Sequence, residues 1–247
     1  MVEGRYLYCI TEADASPPPV LGLLAKYPYI IKYKDLGAVV SLIPYVEPTP
    51  NIENIVSHED VVNSARKAGT VLPVKFGVIF KNEEGVKALL RTSYDSYRAK
   101  LDKFRDLDEY GIKVVLKTEG LKHLREEVAK SSAEISRMQR QMAKAKSGRS
   151  YFLKLKVDEA IKAESYRAVD KLARQVHADL AKNATKSSML KAEHQQIILN
   201  AAYLVKKEEG TSFMAHARTL AKTYAQMGLL IHTSGPWAPY SFVEEAK

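Results

Sequence analysis

The stretch Val71-Leu72-Pro73-Val74-Lys75-Phe76-Gly77-Val78-Ile79-Phe80 decides how the first half of this 247-residue chain is read. Val74, Phe76, Val78 and Phe80 fall on one side of an extended segment, and Pro73, Lys75, Gly77 and Ile79 on the other. That alternation predicts a half-buried β-strand over 72–80. Pro73 suits the first strand position, where its missing N–H costs least. Gly77 in the middle predicts a bulge or a close approach by another backbone. Lys75 is the one charge on the strand.

On the N-terminal side of this stretch, Ser57-His58-Glu59-Asp60 predicts a helix start. Ser57 would cap it, Asp60 would complete an imperfect capping box, and Gly69 would end it. This places His58 on the surface of a first turn. Further back, Tyr29-Ile30-Ile31-Lys32-Tyr33 and Ala38-Val39-Val40-Ser41-Leu42-Ile43 predict a β-hairpin with Gly37 near its turn. Arg5-Tyr6-Leu7-Tyr8-Cys9-Ile10 predicts the first strand. On the C-terminal side, Val86, Leu90, Tyr94, Tyr97, Leu101 and Phe104 recur at intervals of three and four. They predict a helical stretch over 82–107, whole or broken, followed by a strand over 110–116. Strands and helices interleave without a β-α-β rhythm. The expectation is an α+β fold of two domains, the first over 1–118 with a ferredoxin-like arrangement.

The second domain is expected over 119–247. Leu121, Leu124, Val128, Ile135, Met138, Met142 and Ala145 keep a heptad-like rhythm, with Ser131 and Ser132 filling a missing position. A second helical pattern runs over 151–180, with Val169, Leu172, Val176 and Leu180 on one face. Two long amphipathic helices joined at Gly148 predict a helical hairpin over 120–182. A short strand over 187–190 follows. The apolar run 197–205 fits a strand or a buried helix, and its length alone does not decide. A helix marked by Phe213, Leu220 and Tyr224 ends at Gly228, and Leu229-Leu230-Ile231-His232 predicts the last strand.

Composition narrows the function. Lys and Arg total 38 against 29 Asp and Glu, a net charge of +9 that favours acidic partners. Cys9 is the only cysteine, so no disulfide forms within the chain and a reducing, cytoplasmic setting is expected. Its apolar neighbours mark a buried, inert thiol. The first residues lack the basic and apolar regions of a signal peptide, and no apolar run approaches the roughly 18 residues a bilayer span needs. No glycine loop of phosphate-binding spacing, no Cys/His cluster and no Gly-x-Ser-x-Gly elbow is present. No catalytic residue, metal or cofactor is therefore assigned.

Two blocks carry a family resemblance. His58 followed by 71–80 resembles the "H…vlPvrFG" block of the gas vesicle protein F/L family. Ser234-Gly235-Pro236-Trp237-Ala238-Pro239-Tyr240-Ser241-Phe242-Val243 resembles that family's "tGPWPPYsFv" signature. Tyr6-Leu7-Tyr8, the segment 148–153 and Asn200-Ala201-Ala202-Tyr203-Leu204-Val205 support the likeness in order along the chain. Ala238 departs from a usual proline, Ser234 from a Thr, Tyr110 from a Glu-Trp pair, and Lys75 from an Arg, losing the planar fork. The resemblance implies a minor gas vesicle protein required for vesicle assembly, with two α+β domains, the first ferredoxin-like. It implies contact with the hydrophobic shell protein and other minor gas vesicle proteins, without enzyme activity, cofactor or lipid membrane. The candidate partner-binding residues are His58, Pro73, Lys75, Phe76, Gly77, Gly235, Pro236, Trp237, Pro239 and Tyr240. The terminal block fits either a docking segment or a plug folded onto its own core. The alternative reading is a basic nucleic-acid-binding protein with a ferredoxin-like sheet; Lys75-Phe76-Gly77-Val78 imitates an RNA-recognition consensus only in part.

Overall fold

Tyr6, Leu7, Tyr8, Cys9 and Ile10 are consecutive and all buried. Side chains alternate across a strand, so five buried in a row need cover on both faces. In the computed structural model, which describes residues 2–243, they form the middle of β1 (Glu3–Glu12). This strand is central in its sheet. It pairs antiparallel with β3 (Leu36–Pro44), which pairs antiparallel with β2 (Tyr29–Tyr33). Its other edge holds two short antiparallel strands, β4 (Leu72–Pro73) and β5 (Ile79–Phe80). The order is β2-β3-β1-β4, with β5 also on β1. The β2–β3 hairpin turns at Lys34-Asp35, with Lys34 at φ +52°, and Gly37 lies inside β3.

The predicted strand over 72–80 is therefore not continuous. Val74 N–H donates to Tyr8 O at 2.9 Å and Leu7 N–H donates to Val78 O at 2.9 Å. The chain leaves the sheet edge after Val74 and returns at Val78, so Lys75, Phe76 and Gly77 form a turn. Gly77 sits at φ +100°, and a Cβ there would meet nothing within 4 Å. Backbone conformation, not close approach, requires this glycine. Alternation cannot distinguish one long strand from two touching points joined by a turn.

The first helix also starts earlier than expected. α1 (Ile52–Ala68) is capped by Asn51, whose side chain accepts from Asn54 N–H at 2.8 Å, and it stops at Gly69. Ser57 is inside the helix, and His58 is buried on its inner face rather than exposed. The stretch over 82–107 breaks at Ser93 into α2 (Glu83–Thr92) and α3 (Tyr94–Lys103). Next comes β6 (Leu107–Leu116).

The expected hairpin joined at Gly148 is instead three helices: α4 (Thr118–Ser131), α5 (Ala133–Ala143) and α6 (Ser147–Ala181). Ser132 accepts from Ile135 N–H and starts a new helix, so the serines that seemed to fill a heptad position mark a break. Gly148 lies in the first turn of α6. Val128, Ile135 and Val157 form the core of this arm, with Met138, Ala160 and Ile161 against it. Beyond it lie β7 (Lys186–Met189), β8 (Ile197–Lys206), α7 (Gly210–Ala225), β9 (Leu229–Trp237) and the short α8 (Tyr240–Val243). The ambiguous run 197–205 is thus a strand, and the last strand continues into the terminal block. A second sheet has the order β7-β8-β6-β9.

Two compact units emerge. The first comprises residues 2–110, 204–210 and 235–243; the second comprises 111–203 and 211–234. The division expected at 118/119 assigned 235–243 to the second domain, whereas its contacts lie in the first unit. No described helix is long and apolar enough to cross a membrane.

Candidate functional site

The two signature blocks meet inside the first unit. Tyr6 and Tyr8, two residues apart on β1, point to the same side, where α1 presents His58. Tyr6 Oη lies 2.8 Å from His58 Nδ1, and His58 Nε2 lies 3.1 Å from Val74 O. A carbonyl can only accept, so His58 carries its proton on Nε2 and its Nδ1 accepts from the Tyr6 hydroxyl. Gly77 N–H in turn donates to Tyr6 Oη at 3.2 Å. One directional chain thus runs from the Gly77 amide through Tyr6 and His58 to the Val74 carbonyl. It closes the turn that carries Lys75 and Phe76.

The terminal block approaches the same histidine. Tyr240 Oη is 3.4 Å from His58 Nε2, and the Tyr240 hydroxyl donates to Glu59. Burial pulls the His58 imidazolium down to about 4, against a partial offset from the Val74 bond, so the ring is neutral at physiological pH. Burial also pushes up Tyr6, Tyr240 and the Glu59 carboxyl. Phe76 packs edge-on to His58, with ring centroids 5.9 Å apart.

A second anchor lies beside it. Glu109 accepts from Ser241 N–H at 2.8 Å and from the Ser241 hydroxyl at 2.7 Å. Burial raises this carboxyl, and the two Ser241 bonds oppose the rise. Lys100 Nζ donates to Val243 O at 2.8 Å. Gly235 has φ +110°, and a Cβ there would lie 2.7 Å from Glu109 O, so the close backbone approach expected at Gly77 occurs at Gly235 instead. Neighbouring Asp108 forms a buried ion pair with Arg66 at 2.7 Å.

The ten candidate residues thus divide. His58, Pro73 and Pro239 are buried; Phe76, Gly77, Gly235 and Tyr240 are half-buried around them. Lys75, Pro236 and Trp237 are exposed. Ala238, where the family pattern has proline, is buried in the core with Tyr6 and Val62. Sequence reading missed Glu59, Glu109 and Asp108. The available signal was two adjacent acids at the start of a strand, Asp108-Glu109, where acids are depleted. Among the described residues, no group of three His, Cys, Asp or Glu is arranged to hold a metal ion.

A histidine bonded through both nitrogens, enclosed by aromatic rings and held neutral, fastens a scaffold together. The class defined here is an α+β protein whose signature residues close its own core. The model of the family described as gas vesicle synthesis protein GvpL/GvpF matches residues 4–244. Gas vesicle protein L of Streptomyces sp. (strain CB03234) is 23% identical over 96% of this chain and 92% of its own length. Gas vesicle protein F of Haloferax mediterranei is 25% identical over 99% and 95%. The crystal structure of gas vesicle protein GvpF from Anabaena sp. PCC7120 superposes with a TM-score of 0.83 at 22% identity, covering 99% of this chain and 100% of that one. The chain belongs to the GvpL/GvpF family of gas vesicle synthesis proteins.

Proposed function

We propose that this protein serves gas vesicle assembly by binding the hydrophobic shell protein, together with other minor gas vesicle proteins, as an assembly factor or minor structural component in the cytoplasm and at the vesicle. Family membership across 4–244 carries the gas vesicle role. The binding step draws its support from an exposed apolar surface on the first unit. Ile52 is 83% exposed, Val56 50% and Leu24 58%. Ile52, Ile55 and Val56 are exposed on the first two turns of α1, ahead of the turns that bury His58, Val61 and Val62. Leu21, Leu24, Asn51, Asn54 and Ser57 line an open depression of about 480 Å³ beside it. A contiguous exposed apolar surface marks an interaction site. Lys75, Pro236 and Trp237 are the signature residues still exposed to a partner, and the buried ones hold those three in place. No catalytic role is proposed, and none of the matched proteins points to nucleic acid.

We also infer that the first unit is a domain of ferredoxin-like type and that the second is an α+β domain with a helical arm. The antiparallel order β2-β3-β1-β4 supports the first reading, with a short 3-10 turn, Leu23–Ala25, where a helix would link β1 and β2. The test of function is complementation in a vesicle-forming strain lacking this gene. Ile52→Ser/Val56→Ser should abolish vesicles and co-purification with the shell protein while leaving the melting temperature of the isolated protein unchanged. Normal vesicles with that variant would overturn the assigned surface.

A further inference from the structure

The two sheets have four edges, and the edges are not protected alike. An edge strand presents a row of unpaired N–H and C=O groups, which folded proteins blunt with short strands, charged side chains, Pro or interruptions. β2 has five residues and carries the exposed Lys32. β4 and β5 have two residues each, with Pro73 in the first and the turn bearing the exposed Lys75 between them. β7 has four residues and opens on the exposed Lys186. β9 differs from all of these. It has nine residues, ends the order β7-β8-β6-β9, and holds no Lys, Arg, Asp or Glu. Pro236 blunts only its far end.

Residues 229–234 of this strand lie within the second unit, and β6 is their one strand neighbour. Among the described residues, no hydrogen bond outside that ladder reaches the amides or carbonyls of 229–234. Alternate residues of a paired strand turn their N–H and C=O away from the neighbour, so about three donors and three acceptors here face outward. The side chains alternate as well. Leu229 is buried and Ile231 and Thr233 are half-buried, whereas Leu230, His232 and Ser234 are exposed. The strand is therefore covered on one face and bare on the other.

We propose that β9 accepts an extended, uncharged segment of a protein partner as a fifth strand of this sheet. In strand addition the main-chain bonds supply affinity and alternate side chains supply fit. The open row of amides and carbonyls calls for an extended chain, because a helix has already paired its own backbone groups. The lack of charge on β9 selects against a charged segment, which would lose hydration and gain no counter-charge. The covered and bare faces set the pattern: apolar residues beside Ile231 and Thr233, small polar ones beside His232 and Ser234. A second copy of β9 has suitable chemistry. Two folded sheets would, however, meet along a line only about 20 Å long at roughly 3.3 Å per residue. That contact falls short of the roughly 1,200 Å² that a stable interface buries.

This inference does not depend on the shell-binding surface of the first unit. The test uses the full chain and a labelled ten-residue peptide of alternating Val and Thr with Gln at both ends, followed by fluorescence anisotropy and hydrogen–deuterium exchange. The expected result is saturable binding that slows exchange at 229–234 and leaves the β2, β4–β5 and β7 edges unchanged. The same peptide N-methylated at alternate residues should bind at least tenfold more weakly, since it cannot complete the main-chain bonds. Leu230→Lys/His232→Lys, two exposed positions, should weaken binding at least fivefold at an unchanged melting temperature. Ile52→Ser/Val56→Ser should bind the peptide as the unmodified chain does. Equal binding of the N-methylated peptide would overturn the proposal, as would protection at another edge. So would the absence of binding by an unmodified chain with a normal melting temperature. A dimer of the unmodified chain that Leu230→Lys/His232→Lys dissociates would assign the edge to a second copy and overturn it too.

Discussion

His58 is neutral because burial disfavours its charged form, and the bond to the Val74 carbonyl offsets that only in part. Its depressed titration has a stability consequence of fixed sign. Between about 6.5 and about 4 the unfolded chain binds a proton at this ring and the folded chain does not. Stability contributed by the neutral ring is therefore complete above about pH 6.5 and is lost as the pH falls toward 4, amounting to roughly 3 kcal/mol. Glu59 and Glu109 are shifted upward and so have the opposite slope, losing stability as the pH rises through their folded values. The contribution of His58 is read as the difference between the pH profiles of the unmodified chain and His58→Gln. Urea melts at half-unit steps should show a gap that changes across pH 4–6.5; parallel profiles would refute the assignment. Tyr6→Phe leaves the Gly77 amide without its acceptor and His58 Nδ1 without its donor. It should cost about 1–3 kcal/mol in denaturant unfolding. The two positive-φ glycines should separate. Gly77→Ala pays only for its backbone conformation, roughly 1–2 kcal/mol. Gly235→Ala adds a clash with the Glu109 carbonyl, so its melting temperature should fall further. The reverse order would discredit the close approach at Gly235.

At the level of elements, helix ends determine which face each helix buries. Asn51 and Ser57 both suit a cap, and they lie six positions apart. Starting α1 at Asn51 leaves a full turn and a half of helix before His58 and turns that ring inward. Asn51→Ala should cost about 1 kcal/mol and Ser57→Ala should cost much less, both measured by thermal unfolding. Equal effects would mean that Asn51 does not start the helix. The buried pair joining α1 to β6 is a sharper test. Arg66→Ala leaves Asp108 buried and uncompensated and should cost about 3–5 kcal/mol. The broken strand β4–β5 follows the same logic. Its backbone touches β1 at both ends, and the turn between them is fixed by a side chain from β1, the Tyr6 hydroxyl. The middle of that stretch is therefore stabilised by tertiary contact and not by a ladder.

For the whole molecule, the two units present different surfaces. The first offers the exposed aliphatic residues Ile52, Ile55 and Val56, and the second the exposed Tyr151, Phe152 and Leu155 beside Arg149, Lys154 and Lys156 at the start of α6. Aliphatic and salt-insensitive binding is expected at the first, and binding that weakens steeply with added salt at the second. Co-purification of vesicle proteins with the full chain at low and at 0.5 M salt should therefore release one set of partners and keep another. Release of every partner together would mean that a single surface does all the binding.

Much of this could be read from the residues. Alternation and three-to-four spacing located β1, the β2–β3 hairpin, α7 and most of the α4–α6 arm, because those patterns come from burial on one face, which local periodicity encodes. The two signature blocks identified the family, since Pro, Gly, Trp and Tyr in fixed order are improbable by chance. Other features needed the folded chain. The turn at Gly77 depends on a hydroxyl 71 residues away in sequence. The burial of His58 depends on which of two capping residues wins. The place of the terminal block in the first unit depends on Glu109 and Lys100, which the sequence separates from it by more than a hundred residues. Leu72–Pro73 and Ile79–Phe80 remain the two ends of the stretch that seemed one strand. Period-two alternation determined that both ends would meet the sheet, and only tertiary hydrogen bonding decided that the chain between them would leave it.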